Sequence, residues 1–351
     1  MRALFIPSMN RRAGMGHLMR LTYFADQWVA DGRKAVFFLP HSSRGYDRRR
    51  AHKGIEYQYI ADSNSNRSDY ITEKAKKTMD KGDWVVIDSN DNDFVSFECQ
   101  DILHSNGMKI FKMTFSANAK FHVDILHNQS ILAHHRKYDC HPMTRLLLGP
   151  QYAILPKEMK ALRAKRVCRQ QKRNQLLLSF GGSDQKDLIC RILSDILSYD
   201  GIDGDIVVVT GPLYQKEKQL NEYIMKQKKQ TVLHYHNTNR MVELMFCSDV
   251  AIHSGGITTW ELACLGVPQL IVSSTENERM SAQECARKGL CLYQGHWDSY
   301  DRDGIHEALR ALQEDPDLYD RLARNGMAFV DGKGAERAIM AMDEVSTSKI
   351  P

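Results

Sequence analysis

His253-Ser254-Gly255-Gly256-Ile257-Thr258-Thr259-Trp260-Glu261, running on into Leu262-Ala263-Cys264-Leu265-Gly266-Val267-Pro268, is the stretch whose reading decides the fold. The apolar run Val250-Ala251-Ile252 leads into two glycines, and Thr258 and Thr259 can cap a helix that starts near Thr258 and stops at Gly266. A strand, a tight turn and a helix N-terminus in that order leave backbone N–H groups and the positive end of a helix dipole facing outward. A phosphate suits such a place. Ordinary helix–strand packing also uses Gly-Gly before a helix, so the turn alone does not choose between them.

Outward from this stretch the same unit recurs. Downstream, Gln269 to Val272 is a further apolar run. Upstream, Leu176-Leu177-Leu178-Ser179-Phe180 enters the turn Gly181-Gly182-Ser183-Asp184, and Leu188, Ile189, Ile192, Leu193 and Ile196 form the stripe of the next helix. Strands are also predicted at Ile206 to Thr210 and Thr231 to Tyr235. The first half begins alike, with a strand at Ala3 to Pro7, the turn Gly14-Met15-Gly16, and a helix whose apolar residues run from Leu21 to Val29. Strands follow at Ala35 to Leu39, Trp84 to Ile87 (ending in Asp88) and Lys109 to Met113, with part of the polar segment from His41 to Ser68 read as loop. Strands alternating with helices predict an α/β fold with parallel sheets.

With 351 residues the chain has room for two domains. Between Lys157 and Arg173 eight basic residues stand against one acid, Glu158, which reads as a solvated linker before it reads as a nucleic-acid or membrane patch. The expected division is therefore 1–155, a basic linker at 156–174, and 175–351, the last helix returning to the first domain. A net charge of +5 and 26% charged residues fit a globular chain with an anionic small ligand and argue against nucleic acid. No apolar run approaches the roughly 20 residues of a membrane span, and the first apolar run reads as a core strand rather than a signal peptide, so a cytoplasmic protein, monomeric or weakly dimeric, is expected. The eight cysteines are scattered without a Cys-x-x-Cys pair, and no acidic cluster suggests a metal, so neither metal nor cofactor is expected.

Three segments are specific together where each is weak alone: Gly14-Met15-Gly16-His17-Leu18-Met19-Arg20, Ser179-Phe180-Gly181-Gly182-Ser183-Asp184, and Gly255-Gly256-Ile257-Thr258-Thr259-Trp260-Glu261. With Gly149 to Leu155, Glu276-Asn277-Glu278 and Ala286-Arg287-Lys288-Gly289, they make the chain resemble the UDP-sugar hydrolases of the pseudaminic acid pathway, relatives of the UDP-GlcNAc transferase of peptidoglycan synthesis. The resemblance implies a GT-B fold, two Rossmann-like domains facing across a cleft, with UDP held by the C-terminal one. It assigns nucleotide binding to Gly181, Gly182, Ser183, Gly255, Gly256, Thr258, Thr259 and Glu261, the last accepting the ribose hydroxyls. It places Gly16, Arg20, Asn277 and Glu278 at the sugar, with His17 as catalytic base; Asp88, at the next strand end, is the second catalytic candidate, with Asp91 as its alternative. Two departures stand out. Asp88-Ser89-Asn90-Asp91 and Met113-Thr114-Phe115-Ser116 differ from the hydrolases on the sugar side, and Glu278 stands where Gln is usual, replacing an amide donor with an acceptor-only carboxylate.

The expected activity is cleavage of the anomeric C–O bond of a UDP-linked (di)acetamido-deoxy sugar with inversion, releasing UDP and free sugar for nonulosonic acid or surface glycan synthesis. The alternative is an inverting GT-B glycosyltransferase with a non-water acceptor, for which peripheral membrane contact would be natural. A third reading, a non-catalytic nucleotide-sugar-binding protein, is disfavoured by the presence of both His17 and Glu261.

Overall fold

The computed structural model describes residues 1–8, 16–43, 54–64, 68–88, 96–167, 174–199, 204–228 and 230–347. They divide into two compact units, one made of Met1–Lys157 with Lys333–Pro351, the other of Glu158–Gly332.

The first unit contains β1 (Arg2–Pro7), α1 (Gly16–Ala30), β2 (Lys34–Pro40), β3 (Ile55–Ile60), α2 (Ser68–Thr78), β4 (Trp84–Asp88), α3 (Phe97–Ser105), β5 (Lys109–Met113), β6 (Lys120–Phe121), β7 (Ile125–Asn128), β8 (Asp139–Cys140) and β9 (Arg145–Leu148). Its main sheet has the order β3-β2-β1-β4-β5-β7-β9 with every pairing parallel. Central strands of such a sheet are covered on both faces, which is why β1, β2 and β4 are nearly unbroken apolar runs. One face packs Phe5, Phe24, Trp28, Phe37 and Phe111 together, and the other packs Leu4, Ile6, Val36, Val85 and Leu103.

The second unit contains α4 (Glu158–Val167), β10 (Gln175–Ser179), α5 (Leu188–Leu197), β11 (Asp205–Thr210), α6 (Glu217–Met225), β12 (Val232–His236), α7 (Met241–Cys247), β13 (Val250–His253), α8 (Thr258–Leu265), β14 (Gln269–Ser273), α9 (Glu276–Arg287), β15 (Leu292–His296), α10 (Arg302–Glu314) and α11 (Pro316–Phe329). Its parallel sheet has the order β12-β11-β10-β13-β14-β15. Read from the first strand, this is the 3-2-1-4-5-6 order of a doubly wound sheet, whose direction reverses between β10 and β13 just as the first sheet reverses between β1 and β4.

The last helix, α12 (Gly334–Thr347), lies in the first unit, where Ala338, Ile339, Ala341 and Met342 join the cluster of Phe5 and Phe111. Its first residue is a glycine because the backbone arrives too close for anything larger: a β-carbon on Gly334 would stand 2.1 Å from the Ala153 carbonyl oxygen. The basic run is not a bare linker. Residues 158–167 form α4, which belongs to the second unit and whose Arg163 donates to the Cys264 and Val330 carbonyls. The polar segment after His41 also holds an unexpected strand. In β3, Ile55, Tyr57 and Tyr59 pack on the core, Tyr57 stacked on Phe37 at 5.6 Å, while intervening Glu56 is exposed, the alternation of an edge strand.

None of the seven described cysteines is in a disulfide, and four of them are buried. No described helix is long and apolar enough to cross a membrane, and no described group of His, Cys, Asp and Glu side chains is arranged to hold a metal ion.

Candidate functional site

In open parallel sheets ligands bind outside the carboxyl ends of the strands, where the strand order reverses. In the first unit that point lies between Pro7, at the end of β1, and its register partner Asp88, at the end of β4. There α1 begins at Gly16 and carries His17 and Arg20. His17 Nδ1 is 2.7 Å from Asp88 Oδ1, and Arg20 donates to the same carboxylate from Nε (2.7 Å, to Oδ2) and Nη2 (2.5 Å, to Oδ1). Asp88 is fully buried and Arg20 is 2% exposed, its guanidinium 4.7 Å above the Phe115 ring.

Burial alone would raise the Asp88 carboxyl, but the adjacent Arg20 and His17 outweigh it and hold the group well below the usual carboxylate range. An ionised carboxylate only accepts hydrogen bonds, so His17 donates from Nδ1 and a neutral ring keeps its lone pair on Nε2. Of this trio, His17 has its side chain 12% exposed, whereas the Asp88 and Arg20 side chains are buried. Asp88 orients His17 and cannot itself serve as a base near neutral pH. Arg20, expected at the sugar, is instead buried with two of its nitrogens on Asp88, and its visible role is to keep that carboxylate charged. Gly14 and Asp91 lie outside the described residues. His127, at the end of β7, was not singled out by sequence because it interrupts an apolar run. It is buried, lies close enough to feel Arg20 and Asp88, and is 2.8 Å from the Tyr152 carbonyl, to which Nε2–H donates. Burial lowers its pKa to about 4.

The second unit has its reversal between Ser179 and His253, register partners at the ends of β10 and β13. Both glycine turns of the sequence follow these two strands, so topology places Gly181, Gly182 and Ser183 beside Gly255, Gly256 and α8 at one sheet edge. The turns differ in what they leave open. After β10, Asp184 caps α5 by accepting from Leu188 N and Ile189 N, both at 2.9 Å, so two of that helix's first N–H groups are satisfied within the protein.

After β13 the arrangement is different. Ile257 occupies the N-cap of α8 and makes no side-chain cap, so the threonine cap expected there does not form, and buried Thr259 Oγ1 has no hydrogen-bond partner among the described residues. Gly255 N–H is taken by His253 Nδ1 at 3.1 Å. The N–H groups of Gly256, Ile257 and Thr258 have no partner among the described residues, which leaves three adjacent donors at the positive end of a helix. Glu261, in the first turn of α8, is 6% exposed. Glu278 is the N3 residue of α9 in a capping box with Thr275: Oε2 accepts from Ser274 N, Ser274 Oγ and Thr275 N at 2.6–3.0 Å. Its other oxygen, Oε1, lies 3.5 Å from where a β-carbon on Gly256 would sit, so the carboxylate adjoins the turn while serving α9. Asn277 is exposed in the first turn of that helix.

Gly255 sits at φ +97°, and a β-carbon there would meet Ile271 Cγ2 at 3.0 Å. Gly255→Ala is therefore expected to cost about 1–3 kcal/mol in urea unfolding, the scale of a strained backbone position.

Residues 176–335 match the glycosyltransferase family 28 C-terminal domain. The chain is 31% identical over 209 residues to the spore coat polysaccharide biosynthesis protein SpsG of Bacillus subtilis, covering 59% of this chain and 60% of that protein. It is 27% identical over 283 residues to an uncharacterized protein of Methanocaldococcus jannaschii, covering 78% of this chain and 56% of that one. The match thus spans less than two thirds of either relative. Among solved structures it is similar to MurG of Acinetobacter baumannii (TM-score 0.68, 12% identity, 98% of this chain and 99% of that one). It is likewise similar to UGT89C1 of Arabidopsis thaliana complexed with UDP (0.68, 11%, 97% and 99%) and to UDP-GlcNAc 2-epimerase of Neisseria meningitidis bound to UDP-GlcNAc (0.62, 13%, 98% and 100%). The fold is GT-B, built on two Rossmann-like sheets, and the sequence likeness to glycosyltransferases lies in residues 176–335.

Proposed function

We propose that this chain is an inverting GT-B glycosyltransferase that moves a sugar from a nucleotide, UDP in the simplest case, to a non-water acceptor in the assembly of a surface polysaccharide. The observation that carries the reading is the open turn at Gly256, Ile257 and Thr258, followed by buried Glu261, inside the segment that matches the glycosyltransferase family 28 C-terminal domain. Three N–H donors at a helix N-terminus stabilise the charge that gathers on a departing diphosphate, so no acid catalyst is needed for the leaving group. Glu261 accepts the ribose hydroxyls. His17, oriented by Asp88, takes the acceptor's proton as the bond to the anomeric carbon forms. The polysaccharide context rests on the likeness to SpsG. What favours transfer over hydrolysis is the match of residues 176–335 to a domain of a glycosyltransferase family.

The deciding experiment incubates the protein with a panel of UDP-sugars, including diacetamido sugars, with and without glycan or lipid-linked acceptors, and follows UDP. Acceptor-dependent UDP release is expected. Equal release in water alone would restore the hydrolase, and no release under any condition would leave no enzyme of this class. In the same preparation Glu261→Ala is expected to weaken UDP by about 1.5–3 kcal/mol, the scale of hydrogen bonds to a charged group, with little change in melting temperature. Unchanged UDP affinity in the folded variant would remove Glu261 from the site.

A further inference from the structure

His253 begins the stretch that decides the fold, yet the nucleotide reading gives it no task. It ends β13 and is 1% exposed. Its Nδ1 accepts from Gly255 N at 3.1 Å, so the ring proton is on Nε2, which donates to Gln269 Oε1 at 2.8 Å. Gln269, at the start of β14, donates from its amide nitrogen to the Thr259 carbonyl at 3.2 Å in the first turn of α8. One chain of hydrogen bonds thus joins the strand end, the glycine turn, the neighbouring strand and the helix. The Gly255 N–H is consumed within it, so that group is closed to a ligand and the open donors begin one residue later.

We propose that His253 is the positioning residue of the phosphate turn: by holding the Gly255 N–H it fixes Gly255 in its left-handed conformation and presents the Gly256, Ile257 and Thr258 N–H groups together to a diphosphate. The inference rests on the nucleotide reading of this turn. It differs from a direct ligand role, because neither ring nitrogen is open to a phosphate. A buried ring with both nitrogens used inside the protein acts on the ligand only through the backbone it holds.

Two substitutions separate positioning from packing. An Asn side chain places its oxygen near the position of Nδ1 and can still accept from Gly255 N–H, but falls short of Gln269. A Gln side chain reaches Gln269 and gives up Gly255. Each is therefore expected to lower the melting temperature, since each loses one buried hydrogen bond. UDP affinity, measured by calorimetric titration of the full chain, is expected to separate them: within about threefold of the unsubstituted protein for His253→Asn, and weaker by roughly tenfold or more for His253→Gln. If affinity instead falls equally in both, or merely follows melting temperature, His253 is only a core residue and the proposal is overturned while the nucleotide site stands. If the unsubstituted protein binds no UDP, both the proposal and the nucleotide reading fall.

Discussion

His17→Asn is expected to lower the rate of the proposed sugar transfer by roughly two to four orders of magnitude, the contribution of a positioned general base, and to leave UDP affinity nearly unchanged. The separation follows from where the groups lie. His17 belongs to the first unit, and every proposed UDP contact belongs to the second. Asn keeps a polar group able to donate to Asp88 but has nothing to receive a proton, so the trio can survive while its base is lost. Melting temperature, UDP affinity and turnover measured on one preparation check it. A folded variant that turns over at close to the original rate shows that His17 is not the base. Asp88 is a poor replacement in that case, because Arg20 and His17 hold it ionised with very weak basicity.

Asp88→Ala has the larger effect on folding. Arg20 is 2% exposed and donates to this one carboxylate from two of its nitrogens, so the substitution leaves a buried guanidinium without its counter-charge. Removing one partner of a buried pair costs about 3–5 kcal/mol. His17 also loses the acceptor that fixes its tautomer, so turnover per folded molecule falls as well. Asp88→Asn, which keeps the shape, is expected to cost less stability while still lowering turnover. A urea midpoint for Asp88→Ala equal to that of the unsubstituted chain would show that Arg20 finds another partner and that the trio is not the unit described here.

Acid acts on the same fold through two buried imidazoles. His127 and His253 have pKa values lowered to about 4, in both cases chiefly by burial, against roughly 6.5 in an unfolded chain. Between those values the unfolded state binds the proton and the folded state does not, so stability is lost as pH falls from about 6.5 to about 4. The slope is on the order of 1.4 kcal/mol per pH unit for each histidine. Asp88, depressed rather than raised, keeps its contribution throughout this window and gives it up only at lower pH. Urea midpoints that stay flat from pH 7 to pH 5 would contradict the burial of these rings.

The alternation of apolar runs and helical stripes was enough to read the two parallel sheets, because central strands covered on both faces leave a strong hydrophobic signal. Edge elements were harder. In β3 polar Glu56 and Gln58 alternate with Ile55, Tyr57 and Tyr59, so it forms no apolar run, while β9 has three consecutive leucines but only four residues, too short to mark a strand by periodicity. The glycine turns were legible because a chain that turns tightly from strand into helix at positive φ has few residue choices. Where the nearby N–H groups go was not, since Gly255 N–H runs to His253 and the first two N–H groups of α5 to Asp184 through geometry that spacing does not encode. Arg20 shows the same limit. Its place three residues after His17 was plain, but that its charge points inward to Asp88 depends on β4 lying next to β1. The threonine cap failed for a local reason: α8 begins one residue after Ile257, which takes the N-cap position and has no oxygen to offer.

A crystal structure of the full chain with UDP tests the central claim most directly. Diphosphate oxygens are expected within hydrogen-bond distance, roughly 2.7–3.2 Å, of the Gly256, Ile257 and Thr258 nitrogens, with the ribose hydroxyls on Glu261 and Gly255 N still bonded to His253. UDP bound away from this turn, or held there through the Gly255 N–H with His253 swung out, would contradict it.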